Sequence, residues 1–184
     1  MIITQHAGPA DLVLRPATAA DMAAITALYA DEVLDGVATY EYAVPDEAEM
    51  TRRWQAIVAQ GYPYVVAECA GRFAGYGYAS SYRTREGYRW TVEDTVYVHP
   101  DLHGRGIGRA LLEHLIVTCS EMGYRQMVAV IGDRSNTASI ALHERMGFRI
   151  VGIFEGLGRK HGRWLDTVQM QLALGRGNSI PVDD

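Results

Sequence analysis

HGRGIGRALLEHL, residues 103–115, sets glycines at positions 104, 106 and 108 and then turns at once into an apolar repeat of helical spacing. Ordering a glycine costs more backbone freedom than ordering any other residue, so glycines on alternate positions imply that something must approach the main chain closely. Bare amides at the start of a helix, with the helix dipole behind them, make a seat for a negatively charged group. Arg105 and Arg109 add positive charge beside it. Two nucleotide patterns do not fit. A Walker-type loop needs Gly-Lys-Ser/Thr, and neither lysine nor a hydroxyl residue follows Gly108. A dinucleotide fingerprint places its third glycine three positions after the second and opens a parallel α/β sheet. Here the glycines are evenly spaced and follow a meander of strands. The pyrophosphate of an acyl-coenzyme A fits the pattern, and a glycine-rich turn without ligand is the plain alternative.

Working outward, the helix opened by this stretch carries Ile107, Leu111, Leu115, Thr118 and Met122 on one side. Upstream, Tyr88 to Val98 reads as a strand rich in β-branched and aromatic residues, stopped by Pro100. Before it, 64–69 and 72–78 flank Ala70-Gly71 as a tight hairpin. Nearer the start, Leu12 to Arg15 reads as a strand ended by Pro16, and Thr18 with Asp21 reads as a capping box in which the threonine side chain closes the first amides of a helix. Asp46 with Glu49 repeats the signal for a second helix. Downstream, 127–131 is a short buried strand and Asn136 to Met146 an amphipathic helix ended by Gly147. Phe148 to Phe154 and Trp164 to Leu172 are two closing strands. The order is strand, helix, helix, three strands, helix, strand, helix, two strands, a mixed α/β domain over residues 1–174. Residues 175–184 form a polar tail.

At 184 residues the chain fits one domain with a substantial core. Its net charge of −5 and the lack of a basic stripe argue against nucleic acid as the main partner. No apolar run approaches a membrane span, and the N-terminus MIITQHAGPADL lacks the features of a signal peptide. Cys69 and Cys119 form no metal or redox pair and sit in apolar patterns, as free thiols in a reducing compartment do. A cytoplasmic protein is expected. His99, His103 and His114 lack metal-ligand spacing, so no metal is expected.

Two motifs carry a resemblance. Val96-Tyr-Val-His-Pro-Asp-Leu-His-Gly-Arg-Gly-Ile-Gly108 resembles the central motif of the GNAT superfamily of N-acetyltransferases, and Asn136-x-x-Ser139-x-x-Leu142-His143-Glu144-x-x-Gly147-Phe148 is similar to a second motif of those proteins. Trp90-Thr-Val-Glu93, Val128-Ala-Val-Ile131 and Lys160-His-Gly-Arg-Trp-Leu-Asp166 resemble the branch that acetylates phosphinothricin and methionine sulfoximine or sulfone. Two departures stand out: His103 replaces the usual Gln or Arg, and Ala38 precedes Thr39 where the branch often carries two hydroxyl residues.

The resemblance implies acetyl-coenzyme A as co-substrate and a homodimer. It implies that Val96, Tyr97 and Val98 pair with the pantetheine arm, that Gly104, Arg105, Gly106, Ile107, Gly108 and Arg109 take the pyrophosphate, and that Asn136 reaches the pantetheine from the far side. Acetyl transfer to an amine requires loss of the amine's proton, stabilisation of the oxyanion and departure of the thiolate. Glu93 is the candidate general base, acting through water; flanked by Trp90, Val92 and Val96 it is partly desolvated, which raises a carboxyl pKa. A strand carboxylate facing solvent is its plain alternative. His143 stands where the superfamily usually has the tyrosine that protonates the thiolate. Arg83 and Arg85, in a loop that the resemblance places over the substrate cleft, suit a two-point grip on an acid group. With Thr39, Asp94 and Thr95 they are the candidate substrate residues, and Tyr88 and Trp90 are a candidate wall. The expected reaction is direct transfer to the α-amine of a small amino acid analogue. Another amine (a polyamine, an aminoglycoside or a protein N-terminus) and an acyl-coenzyme A sensor without turnover are the alternatives.

Overall fold

The computed structural model describes residues 9–182. The N-terminal segment read for a leader lies outside the described residues through position 8, as do the last two residues of the tail. The elements run β1 (Leu12–Pro16), α1 (Met22–Leu34), α2 (Glu47–Ala59), β2 (Tyr64–Cys69), β3 (Arg72–Ser81), β4 (Thr91–Val98), α3 (Ile107–Glu121), β5 (Gln126–Ile131), α4 (Thr137–Arg145), β6 (Arg149–Lys160) and β7 (Arg163–Ala173). The strands form one sheet in the order β1-β2-β3-β4-β5-β7-β6, antiparallel except for the β4–β5 pair.

Local signals explain most boundaries. Ala70 and Gly71 both have positive φ (50° and 71°), the backbone that a two-residue hairpin turn needs. Asp46 accepts the Glu49 amide and starts α2. Ahead of α1 the expected Thr18–Asp21 capping box is present, closing the 3₁₀ turn Ala19–Asp21. The Asp21 carboxylate accepts both the Thr18 amide (2.7 Å) and the Thr18 hydroxyl (2.9 Å), and Arg15 braces it from β1.

Several strand boundaries differ from the sequence reading, and β3 runs on to Ser81. β4 starts at Thr91, because residues 86–88 form a single 3₁₀ turn in which the Tyr88 and Arg89 amides donate to the Arg85 and Glu86 carbonyls. β6 runs on to Lys160. Register shifts at Ile150/Gly152 and Phe154/Gly158 break its alternation, so its pattern does not read as one strand.

Two cores cover the two sheet faces. Ile107, Leu111, Leu112 and Leu115 of α3 are fully buried with Val92, Met127 and Met170 on one face. On the other, Met22, Ile25 and Tyr29 of α1 pack with Val66 and Tyr76. Truncating one of these large side chains to alanine costs about 2–5 kcal/mol. Among the described residues no helix is long and apolar enough to cross a membrane.

Candidate active site

β4 is the axis of the site. Its side chains alternate between the sheet faces. Val92, Asp94, Val96 and Val98 point toward α3 and α4, and Glu93, Thr95 and Tyr97 toward α1. β4 and β5 pair only from Thr91 to Asp94, against Gln126 to Ala129. Beyond that, β4 stays with Gly75–Gly77 of β3 while β5 stays with β7. The two strands part, and a cleft of about 1090 Å³ opens between them. Val96, Tyr97 and Val98 form one wall and 129–132 the other, with Glu93 near the fork.

The glycine loop closes the far end. Gly104 and Gly106 have φ of 74° and 81°, a left-handed backbone that side chains resist, and Gly106 is the residue on which α3 starts. Gly108 has a different reason: a Cβ there would stand 3.3 Å from Leu142 and 3.4 Å from Val98, so its bareness lets the helix press against α4 and β4. Gly104, Gly106, Ile107, Gly108 and Arg109 all line the cleft, and Arg145 of α4 joins them. Arg105 is exposed and lies outside the lining. His103 Nε2 lies 2.9 Å from the Val98 carbonyl, so this departure from the superfamily pattern ties the loop to the end of β4.

The Glu93 carboxylate is half-buried and has no hydrogen bond or ion pair among the described residues. Burial first, and then the charge of the adjacent Asp94, push it up to about 7. Half-protonated at neutral pH, it can take and return a proton.

Asp94, on the opposite face, serves a different purpose. Its Oδ2 lies 3.0 Å from His143 Nε2, in a pair almost wholly removed from water. His143 Nδ1 is 2.7 Å from the Ser139 carbonyl, which can only accept. With Nδ1 donating to that carbonyl, a proton lies between Nε2 and the Asp94 carboxylate. Burial lowers the pKa of the ring, but the hydrogen bond and charge of Asp94, aided by the Ser139 carbonyl, outweigh it and hold the ring above its usual value. Asn136 caps α4 by accepting the Ser139 amide (3.2 Å) and lines the cleft, as does His143.

Thr39 and Thr95 line the same cleft on the α1 side, and Thr39 is 2.8 Å from the Tyr29 hydroxyl. Arg83 and Arg85 are exposed and lie outside its lining. Arg83 stacks over Tyr82 and Tyr88, 5.1 and 5.5 Å from their centroids. Those tyrosines border a smaller hollow of about 230 Å³ with Thr91, Val128 and Gln169, on the Glu93 face of the sheet. Trp90 instead stacks with Arg89. The sequence reading missed Tyr40, which lines the cleft, and Lys160, which is buried behind it. Both act through main-chain carbonyls far away in the chain, and no local pattern announces such contacts.

Residues 14–169 match the acetyltransferase (GNAT) domain. The chain belongs to the GNAT acetyltransferase family. This N-acetyltransferase is 46% identical over 159 residues to the phosphinothricin N-acetyltransferase of Alcaligenes faecalis, covering 86% of this chain and 81% of that one. It is 41% identical over 169 residues to the L-methionine sulfoximine/L-methionine sulfone acetyltransferase of Pseudomonas aeruginosa, covering 91% and 98%. Among solved structures it superposes on the phosphinothricin acetyltransferase of Sinorhizobium meliloti in complex with AcCoA, with a TM-score of 0.91, 48% identity and coverage of 95% and 94%.

Proposed function

We propose that this acetyltransferase moves the acetyl group of acetyl-coenzyme A directly to the α-amine of a small amino acid analogue of the phosphinothricin or methionine sulfoximine type, with Glu93 as general base. The observation that carries the reading is the Glu93 carboxyl, half-buried near the fork of β4 and β5, unpaired among the described residues, and pushed up to about 7.

The cleft suits the coenzyme. The β4 edge from Val96 to Val98 lacks a strand partner on the β5 side, so its main-chain groups can pair with an extended amide arm. Gly104 to Arg109, with the free amides of the first turn of α3, suit a pyrophosphate. Asn136 borders the arm from α4. Acetyl-coenzyme A brings an activated acetyl group.

Glu93 accepts the proton of the acceptor ammonium through water, leaving a nucleophilic amine. Both N–H groups of His143 are engaged within the fold, so its part is narrower than free proton donation. As a cation at the cleft wall it lowers the cost of the departing thiolate, and its proton reaches the sulfur only when the bond to Asp94 gives way. Asp94 keeps that charge in place. Direct transfer is supported by the two thiols: both are buried, and burial, followed by the Asp94 charge, pushes Cys119 up to about 12, so it is no nucleophile. Thr39 and Thr95 in the cleft take the acid end of the acceptor, and the exposed Arg83 and Arg85, outside its lining, add positive charge on the approach.

We also propose a cytoplasmic homodimer. β6 and β7 leave Leu157 (61%), Trp164 (68%), Phe154 and Ile153 exposed, apolar side chains that a second copy would cover. Sedimentation of the purified protein at two masses per particle supports this, and a monomer at micromolar concentration overturns it.

Thiol release from acetyl-coenzyme A, measured against amino acids, sulfoximines, phosphinothricin and polyamines, tests the reaction. Turnover confined to the amino acid analogues is the expected result. Turnover only with polyamines overturns the arginine argument, and tight coenzyme binding without any turnover makes the protein a sensor.

A further inference from the structure

Residues 35–46, between α1 and α2, are long for a helix–helix connection and contain no regular element. Irregular chain leaves carbonyls without partners, and buried carbonyls need donors. Here the donors come from the far end of the sequence. Lys160, at the end of β6, is 2% exposed. Its Nζ donates to the carbonyls of Glu32 (2.9 Å), Gly36 (2.8 Å) and Thr39 (2.9 Å). An ammonium has three donors and no acceptor, so the group is fully spent. One of its partners lies in the last turn of α1, where the helix dipole favours a cation. Mere space filling does not call for a charge, since an apolar side chain avoids its desolvation.

Tyr40 anchors the same segment on the sheet. Its hydroxyl donates to the Gly132 carbonyl at the end of β5, with the Thr167 hydroxyl 3.0 Å away. Its ring covers Gly158, where any Cβ would run into it, and the Val37 carbonyl sits against Gly132 in the same way. Thr39 and Tyr40, held by these contacts, form the cleft wall on the α1 side, the face that Glu93 shares.

We propose that Lys160 is a positioning residue for the acceptor: by holding the carbonyls of Glu32, Gly36 and Thr39 it fixes the wall that carries Thr39 and Tyr40, and so sets acceptor affinity without touching the coenzyme. The proposal rests on the acetyl-transfer reading above. It assigns donor and acceptor binding to separate supports, the glycine loop for one and the β6–β7 hairpin for the other.

Lys160→Met tests it. The expected result is an acceptor KM raised about tenfold with the acetyl-coenzyme A Kd, measured by calorimetry, changed less than about twofold. Amide hydrogen exchange over residues 36–42 should accelerate in the same variant. An unchanged acceptor KM overturns the proposal, as does a coenzyme Kd that rises in parallel, which marks a merely structural role. If Lys160→Met does not fold, Tyr40→Phe takes its place and should raise acceptor KM alone; equal effects on both substrates, or none, overturn the proposal. If the wild-type protein acetylates no amine, the functional reading fails, and exchange at 36–42 still decides the part of Lys160: unchanged protection in Lys160→Met overturns it.

Discussion

The two sides of the cleft are built on different principles. The glycine-loop side, from Val96 through Arg109 and on to Asn136, presents main chain: a strand edge, a left-handed loop and the first amides of α3. The opposite side, around Thr39 and Tyr40, presents side chains on an irregular segment that is held by residues some 90 to 130 positions away. A main-chain site must keep its glycines, because nothing else permits the geometry. A wall of side chains can change its contacts while the scaffold stays as it is. Such a division gives one fold a constant donor site and a variable acceptor site.

The largest expected effect sits where the two sides meet. Glu93→Gln should lower kcat by about 100- to 10,000-fold, the range of a lost general base, with coenzyme affinity intact. Wild-type activity should rise through pH 7 as Glu93 loses its proton, and the variant should lose that rise. The same substitution should stabilise the fold. A carboxyl raised from 4.5 to about 7 is held against its preference at higher pH. Its destabilising effect is absent below about pH 4.5 and complete above about pH 7, where removing the charge gains up to about 3 kcal/mol. Thermal melts at pH 5 and pH 8 check this, and equal shifts at both overturn the assignment.

Asp94→Asn comes next. Removing one partner of a buried pair costs about 3–5 kcal/mol. Because the His143 pKa is raised in the fold, the pair's contribution is complete below the ordinary histidine pKa and is lost as pH rises through the raised value. The loss measured by denaturant should therefore be larger at pH 6 than at pH 9. An equal loss at both would mean that His143 is not the charged partner.

The smallest effect sharpens the division itself. Gly106→Val places a β-branched residue at a φ of 81° and should cost about 1–2 kcal/mol of stability. Coenzyme affinity should fall, and acceptor KM at saturating coenzyme should hold. If both substrates weaken together, the two supports are not separate.

What the sequence made legible follows the same division. The glycine loop, the Asn136 cap, the Ala70-Gly71 turn and the order of elements all lie in contiguous residues whose spacing reflects local backbone needs. Glu93 could be placed on a strand, but Val92 and Val96, taken as the neighbours that desolvate it, point to the other sheet face. Asp94 was assigned to the acceptor, yet its carboxylate faces His143, because alternation turns adjacent strand residues to opposite faces. Lys160 and Tyr40 stayed hidden. A lysine that serves three carbonyls looks the same in sequence as one in solvent, and only the closure of the β6–β7 hairpin onto α1 distinguishes them. The long β6 was obscured by its own bulges.

The short β4–β5 ladder has one more consequence. Sheets usually expose unpaired edges at their periphery, where proteins blunt them against sticky pairing with other chains. This sheet has two such edges in its middle, along 96–98 and 130–131, and they cannot be blunted without closing the cleft. An extended ligand seated there acts as the missing strand. At about a hundredfold excess over its Kd it adds about 2.7 kcal/mol to the stability of the fold. With the cleft empty, these inner edges are the part of the fold most open to pairing with another chain.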